Sequence, residues 1–283
     1  MSNKTKCIVL AVTVLVTLCG ADNALATILN VGSGQTYTTI QAAFNAAISG
    51  DEVVIHAGIY NTQAGVVGKS NLYIHNATGD KVVINGGLYF NNSSEGSTVE
   101  GLYIKPTGCV GIQNYYVGGR GNTYKYLTFF NGDATKSAFW GDSMYGHDNI
   151  DHVTIYNCDY ALSYGYASSS YITNSLIVNS ISSAGSTVGG TPVLSSNFWM
   201  NPSTSGYENA GLLEDGTCIS ANPLFVSTDP TSPYFLWLTQ NSPSSGTGMN
   251  GTNMGSMPTI PEPATITLLG LAGLALLKRN RSK

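Results

Sequence analysis

Residues 28–60 read ILNVGSGQTYTTIQAAFNAAISGDEVVIHAGIY, which predicts a short strand, a short helix, a tight turn and a second strand. The helix is predicted to begin with a capping box, in which Thr38 is the N-cap and Gln41 lies three residues on. An apolar stripe at helical spacing follows, formed by Ile40, Ala43, Phe44, Ala47 and Ile48. A helix this short is not stable alone, so its stripe must cover another apolar surface.

Three short sequence patterns in this stretch are typical of the N-terminal end of one class of domain. They are Tyr37-x-Thr39-Ile40-Gln41-x-Ala43, then Gly50-Asp51-x-Val53, then Gly58-x-Tyr60. Together they resemble the N-terminal cap of pectin-lyase-like right-handed parallel β-helix proteins. The resemblance implies an all-β solenoid of stacked short strands, with the helix closing its open end. It implies no particular reaction, because this fold carries lyases, hydrolases, esterases and inert adhesins.

A repeat of eight-residue frames follows the cap and predicts the coils of the solenoid. The frames are 99–106, 124–131, 150–157, 172–179 and 194–201, and their starts lie 25, 26, 22 and 22 residues apart. Positions one and six of each frame are apolar or aromatic. Alternation along a strand places positions four, six and eight on one face, which we take as the interior. Position eight predicts an inward ladder of hydrogen-bonded asparagines, namely Asn131, Asn157, Asn179 and Asn201.

The end of the predicted domain also resembles the family. Residues 222–226, 234–238 and 241–243, together with Gly248, are similar to the final coil of such proteins, so the domain is predicted to span 27–248. Residues 249–260 contain Ser, Gly, Thr, Asn and Met but no charge, which predicts a flexible linker.

The first 26 residues of this 283-residue chain have the pattern of a secretory signal peptide. Lys4 and Lys6 precede an apolar run at 8–18, and Ala24-Leu25-Ala26 provides a small-x-small cleavage site for signal peptidase. We therefore exclude residues 1–26 from the fold and predict export.

The other end, 261–283, has three parts in a fixed order. Pro261-Glu262-Pro263 precedes an apolar run at 264–277, predicted to be a short transmembrane helix, and a basic tail ends the chain. This order resembles the PEP-CTERM sorting signal of Gram-negative bacteria. The resemblance implies a transient inner-membrane stage, cleavage near Pro261-Glu262-Pro263 by an exosortase-type enzyme, and a final place at the cell surface or outside the cell. It also implies association with exopolysaccharide and biofilm.

The charge balance of the mature chain excludes some partners. Residues 27–260 contain six Lys and Arg against fourteen Asp and Glu, a net charge near −8. Such a surface repels nucleic acid and weakens contact with anionic membranes and polyuronates. Three cysteines remain after processing, and we expect Cys109, Cys158 and Cys218 to be small buried residues of the coils.

One polar stretch, 120–159, could hold a catalytic site. A polysaccharide lyase could use Arg120 or Lys136 as the base and Asp142 with Asp148 as ligands for calcium. An inverting hydrolase could use a pair of carboxylates from the same region, with Asp151 as a third candidate. Against both, Asp151 and His152 occupy frame positions that we interpret as exposed turns. The chain also lacks the paired-aspartate and calcium-aspartate signatures of catalytic relatives, so no catalytic residue is assigned and no cofactor is expected.

Tyrosines offer a second kind of site. Seventeen occur in the chain and many lie in the middle coils, where outward rings can stack on sugar rings without using charge. The candidates for carbohydrate contact are Tyr115, Tyr116 and Tyr145. We therefore predict a non-catalytic, exported surface or matrix protein associated with exopolysaccharide. The alternative is a carbohydrate-active enzyme, either a polysaccharide lyase or a glycoside hydrolase.

Overall fold

The computed structural model describes residues 26–91, 93–115, 121–132, 137–141, 148–158, 160–164, 171–180, 194–200, 213–214 and 219–260. The predicted signal peptide, apart from Ala26, lies outside these residues, as does the sorting segment at 261–283.

Within the described residues the chain forms one α-helix, α1 (Ile40–Ala46), and eighteen strands. The strands are β1 (Ile28–Val31), β2 (Glu52–Ile55), β3 (Gly58–Val67), β4 (Tyr73–Asn76), β5 (Val82–Asn91), β6 (Thr98–Glu100), β7 (Tyr103–Lys105), β8 (Ile112–Asn114), β9 (Thr123–Lys125), β10 (Thr128–Phe130), β11 (Ser137–Gly141), β12 (Asn149–Asp151), β13 (Thr154–Tyr156), β14 (Tyr160–Tyr164), β15 (Tyr171–Val178), β16 (Leu194–Met200), β17 (Leu213–Glu214) and β18 (Ile219–Ser220).

The strands pair in parallel from one coil to the next and form three faces. The first face contains β1, β2, β4, β6, β9, β12 and the first half of β15. The second face contains the first halves of β3 and β5, then β7, β10, β13 and the second half of β15. The third face contains the second halves of β3 and β5, then β8, β11 and β14. The predicted all-β parallel solenoid is confirmed.

The predicted frames match the coils through the fourth frame. Val99 pairs with Tyr124, Tyr124 with Ile150, and Ile150 with Ile172. The fifth frame is shifted by one residue, because Ile172 pairs with Ser195 and not with Leu194. The recurring asparagine at position eight favours the unshifted frame, but Asn201 lies outside the described residues. A single recurring residue is a weak guide to register, which depends on the pairing of the whole strand.

The solenoid interior is apolar. At positions one, four and six of the first four frames the apolar side chains are at most 2% exposed, and they are Val99, Leu102, Ile104, Tyr124, Leu127, Phe129, Ile150, Val153, Ile155, Ile172 and Ile177. Position four of the fourth frame is the buried Ser175. Stacking the coils therefore buries the apolar side chains of each coil against those of the next. This burial is the main stabilising contribution in the fold.

The corners of the coils consist of residues in the left-handed conformation. At frame position three, Tyr126 and His152 have φ of 53° and 51°. At position eight, Asn131, Asn157 and Asn179 have φ between 46° and 54°, a region that asparagine tolerates better than most residues.

The asparagine ladder lies on the surface and not in the interior as predicted. The side-chain amide of Asn157 donates to Oδ1 of Asn131 at 2.8 Å, so a ladder contact does form between neighbouring coils. Asn157 and Asn179 are nevertheless exposed. The prediction of an inward direction was wrong, because a left-handed residue interrupts the alternation of a strand on which that prediction rested.

Helix α1 closes the start of the solenoid, with Ile40, Ala43, Phe44 and Ala47 buried against the core. Its N-cap is Thr39 and not Thr38, since Oγ1 of Thr39 accepts the N–H of Ala42 at 3.2 Å. The helix has seven residues, fewer than predicted, and Ile48 beyond its end is 50% exposed. The Gln41 side chain does not complete a capping box but accepts the backbone N–H of Gly65 at 2.8 Å.

Residues 221–248 do not add the last coil that we expected. They run along the outside of the second face, where Phe235 and Leu236 pack with Phe130. The ammonium group of Lys81 donates to the carbonyl oxygen of Pro230 at 3.0 Å, so this segment reaches back to the early coils.

Residues 249–260, which we name the strap, also differ from the flexible linker that we predicted. Met254 is completely buried in a cluster with Leu176 and Leu238. The backbone N–H of Gly255 donates to the carbonyl oxygen of Asn174 at 2.6 Å. Average composition predicted flexibility, but one buried methionine and a series of backbone hydrogen bonds fix the strap on the second face.

Candidate functional site

The structure describes one of the three speculative catalytic residues. Arg120 and Asp142 lie outside the described residues, whereas Asp148 is 2% exposed and lies inside the solenoid. Its Oδ1 accepts the backbone N–H of Asn122 at 2.9 Å, and its Oδ2 accepts the side-chain amide of Asn114 at 2.6 Å. An interior carboxyl group that is satisfied in this way has no access to a polymer on the surface.

The environment of Asp148 favours its neutral form. Burial raises the pKa of this carboxyl to about 7, although the hydrogen bonds from Asn122 and Asn114 act in the opposite direction. The network continues inward, because the hydroxyl of Tyr124 donates to Oδ1 of Asn114 at 2.8 Å. Asn122 in turn accepts the backbone N–H of Ser97 at 2.8 Å. These contacts join neighbouring coils, so the cluster has a structural role.

Asp151 and His152 form a pair on a corner of the coil, and His152 is only 8% exposed, not the exposed turn residue that we expected. Nδ1 of His152 lies 2.8 Å from Oδ2 of Asp151. Oδ1 of the same carboxylate accepts from Thr173 at 2.7 Å and from the amide of Asn174 at 2.8 Å. Burial alone would raise the pKa of Asp151, but these hydrogen bonds outweigh it and lower that pKa.

A strip of polar side chains crosses the first face, and its charged side chains form ion pairs and hydrogen bonds with one another. Nε2 of His75 lies 2.8 Å from a carboxylate oxygen of Glu52. Glu100 accepts the Tyr73 hydroxyl at 2.7 Å and lies 3.0 Å from the ammonium nitrogen of Lys125. Partial burial and the hydrogen bond to Glu100 raise the pKa of Tyr73 to about 12. Because these groups satisfy one another, the strip stabilises the stacking of coils.

The third face carries a row of three aromatic rings, which we name the aromatic row. Tyr89 and Tyr115 meet edge to face with ring centroids 5.9 Å apart. Tyr115 and Trp140 meet in the same way at 6.0 Å. All three side chains are half-buried, so part of each ring faces solvent.

The solenoid geometry brings this row together from three coils. Tyr89 pairs with Gln113, and Gln113 pairs with Trp140 on the next coil. Each of these three residues directly follows a buried residue in its strand, so alternation turns it outward. The amide of Gln63 lies 3.4 Å from the amide oxygen of Gln113, which places two uncharged polar groups beside the rings.

Gly65 fixes the position of the first ring. The Tyr89 ring lies directly over this glycine, and a Cβ atom there would come within 1.9 Å of Cζ of the ring. Gly65 also donates its backbone N–H to Gln41, which follows the N-cap of α1. The cap helix and the aromatic row are therefore connected through one residue.

The sequence found part of this surface. Tyr115 belongs to the aromatic row, whereas Tyr116 and Tyr145 lie outside the described residues. Tyr89 and Trp140 were not among the candidates. The sequence does contain a signal for them. In each of these stacked strands, one aromatic residue directly follows a residue of the apolar interior, so it must point outward.

The described residues include two of the three cysteines of the mature chain. Cys158 is buried as expected and Cys109 is half-buried, while Cys218 lies outside them. The described part of the chain contains no group of three or more His, Cys, Asp and Glu residues that could hold a metal ion.

A comparison with models of known protein families identifies a sorting motif at the C terminus. Residues 259–282 match the model of the PEP-CTERM protein-sorting motif. Among the residues in 26–260 that the structure describes, no helix has the length and apolar composition to cross a membrane. The predicted apolar helix at 264–277 lies outside them.

A comparison with solved structures finds two proteins that are similar to parts of this chain. One is the pectin methylesterase from Aspergillus niger, with 17% identity, a TM-score of 0.32, and coverage of 69% of this chain and 84% of that chain. The other is pectate lyase Pel9A, with 12% identity, a TM-score of 0.31, and coverage of 83% and 96%. A comparison with curated proteins finds no match. By its own strand pairing the chain is a parallel β-solenoid, and it carries a PEP-CTERM sorting motif at its C terminus.

Proposed function

We propose that the mature protein is a non-catalytic protein of the cell surface or extracellular matrix that binds exopolysaccharide through the aromatic row. The observation that carries this proposal is the alignment of Tyr89, Tyr115 and Trp140 on one face of a rigid solenoid. Aromatic rings that keep one side exposed can stack on the apolar faces of sugar rings.

The dimensions of the solenoid favour a sugar chain that lies along its axis. Tyr89 and Trp140 are two coils apart, which corresponds to about 10 Å at the usual strand spacing. This is roughly the length of two sugar rings in an extended polysaccharide. Gln63 and Gln113 lie beside the rings and can exchange hydrogen bonds with sugar hydroxyls.

The charge distribution favours a neutral polysaccharide. The side chains of the row and the two glutamines are uncharged, and the mature chain carries an excess of Asp and Glu. A polyuronate would be repelled by this excess and would gain no ion pair from the row. The ligand class that fits is therefore a neutral glucan or a similar chain of equatorially linked sugars.

The sorting motif fits this role. A PEP-CTERM motif implies export and processing by an exosortase, which delivers the solenoid to the envelope or the extracellular space. We propose that this occurs in a Gram-negative cell through a transient stage in the inner membrane, and that the protein serves a biofilm matrix.

The test is to mix residues 27–260 with neutral and acidic polysaccharides, with and without calcium. We expect neutral polysaccharide to be retained without new chain ends in mass spectrometry. Tyr115→Ala should reduce retention, while Tyr234→Ala, which changes a ring 48% exposed on residues 221–248, should not. New chain ends that disappear on Arg120→Ala would overturn the proposal in favour of the carbohydrate-active enzyme.

A further inference from the structure

The strap is bound to three successive coils by specific hydrogen bonds. Its first residue, Met249, donates its backbone N–H to Oδ1 of Asn174 at 2.7 Å. Ser256 donates its backbone N–H to Oγ1 of Thr154 at 2.9 Å, and its hydroxyl lies 2.7 Å from that of Thr128. The strap thus continues the surface of the solenoid and is not a tether that leaves it.

The start of the sorting motif lies inside this bound segment. The motif match begins at residue 259, and the backbone N–H of Ile260 donates to the carbonyl oxygen of Leu238 at 3.0 Å. Leu238 in turn donates its N–H to the carbonyl oxygen of Pro258 at 3.1 Å. Oγ1 of Thr259 accepts the side-chain amide of Asn253 at 2.9 Å. The first two residues of the motif are therefore held on the folded body.

One glycine makes this close contact possible. Gly255 has φ of 90°, and a Cβ atom there would come within 2.7 Å of both Oγ1 of Thr154 and Cδ1 of Leu176. Any other residue would be strained in its backbone and would collide with the second face. The docked state of the strap therefore depends on Gly255.

Recognition of an extended peptide commonly uses hydrogen bonds to its main chain, which require backbone groups that are free to bond. In the docked strap, the backbone groups of Pro258 and Ile260 are already used by Leu238. We propose that the strap must leave the second face before the sorting enzyme can take up the start of the motif. Docking thereby controls processing: the docked chain is protected, and only the released chain is a substrate.

The strap can open without unfolding the solenoid. It contributes one completely buried side chain, Met254, whereas each coil contributes several. Segments with few buried apolar contacts open at a lower free energy than the global unfolding free energy. Local release is therefore the natural route to processing of a folded chain.

The test uses the full-length chain in a host that produces the sorting enzyme. The chain is labelled in a short pulse, and its mass is then followed over time to measure the rate of processing. The combined Thr128→Cys and Ser256→Cys variant can close a disulfide between the strap and β10, since the two native hydroxyl oxygens are 2.7 Å apart. We expect the oxidised form to be processed about tenfold more slowly than the Ser256→Cys control, and reductant to restore the rate. Equal rates for a double variant that is oxidised in non-reducing mass spectra would overturn the proposal.

A second variant tests the opposite direction. Gly255→Ala should release the strap and increase the processing rate, and it should also speed cleavage within 249–260 by a broad-specificity protease. Gly251→Ala is the matched control, because its φ is also positive, at 74°, but a Cβ there meets nothing within 4 Å. The same processing rate and protease sensitivity for both variants would contradict control by docking.

Discussion

Asn114 donates its side-chain amide to Oδ2 of Asp148 at 2.6 Å inside the solenoid, where neither side chain is more than 2% exposed. Asn114 ends β8 on the third face and Asp148 precedes β12 on the first face. The contact therefore joins two faces and two coils. It also places an ionisable group where ionisation is costly.

The first prediction concerns pH. The pKa of Asp148 is raised from 3.8 to about 7, so the folded state binds its proton more tightly than the unfolded state. Stability from this group is complete below pH 4 and falls as the pH rises to 7, by up to about 4 kcal/mol. Asp148→Asn should remove this loss, because rotation of the Asn114 amide can satisfy the new side chain. Urea unfolding at pH 4.5 and pH 8 measures the difference.

Asp229→Asn is the control for this pH experiment, because Asp229 is fully exposed and Thr231 donates to it from both its backbone N–H and its hydroxyl. That variant should keep the pH dependence of the native chain. An unchanged pH dependence in Asp148→Asn would contradict the assignment.

The second prediction concerns the cap helix. Thr39→Ala removes the acceptor for the N–H of Ala42 and should lower the free energy of unfolding by about 1 kcal/mol. Thr38→Ala, one residue earlier on the exposed surface, should change it little. Thermal or urea unfolding of both variants distinguishes the two caps, and a larger loss for Thr38→Ala would restore the capping box expected from the sequence.

The third prediction concerns the aromatic row. Gly65→Ala places a Cβ within 1.9 Å of the Tyr89 ring, so the ring must move. We expect polysaccharide affinity to fall roughly fivefold, equivalent to about 1 kcal/mol. Gly132→Ala also changes a glycine without a positive φ, but there a Cβ would make only ordinary contacts at 3.5 Å or more, and affinity should stay the same. Affinity electrophoresis compares the two, and equal mobility would mean that the position of Tyr89 is irrelevant to binding.

The fourth prediction concerns the buried thiol. Burial raises the pKa of Cys158 to about 12, so almost no thiolate exists at pH 8. Iodoacetamide should therefore leave Cys158 unmodified in the native chain and modify it only in denaturant, as read by peptide mass. Rapid modification of the native protein would show that the coil containing β12 and β13 opens easily at this position.

The sequence predicted the coils well because their physical cause repeats. Inward residues such as Ile104, Phe129 and Ile155 recur once per coil. The alternation of apolar and polar residues within each strand identifies them without any knowledge of the other coils. The corner at His152 could not be predicted in the same way. A left-handed backbone is a minor conformation even for histidine, which adopts it more often than most residues, so the stacked coils impose it there.

The aromatic row and the strap were missed for two other reasons. Tyr89 and Trp140 are 51 positions apart in the sequence and reach the same row only through the lengths of two coils, which include loops of variable size. The strap has the composition of a linker. Average composition does not reveal that Met254 and Gly255 fit closely against the second face. Both features depend on register, which composition does not encode.

The most direct test of the central claim is the dissociation constant of a neutral polysaccharide for residues 27–260 and for Trp140→Ala. We predict about tenfold weaker binding for this variant, with Tyr234→Ala unchanged. Equal affinity of the native chain and Trp140→Ala for every neutral polysaccharide that binds would contradict the aromatic row as the binding surface.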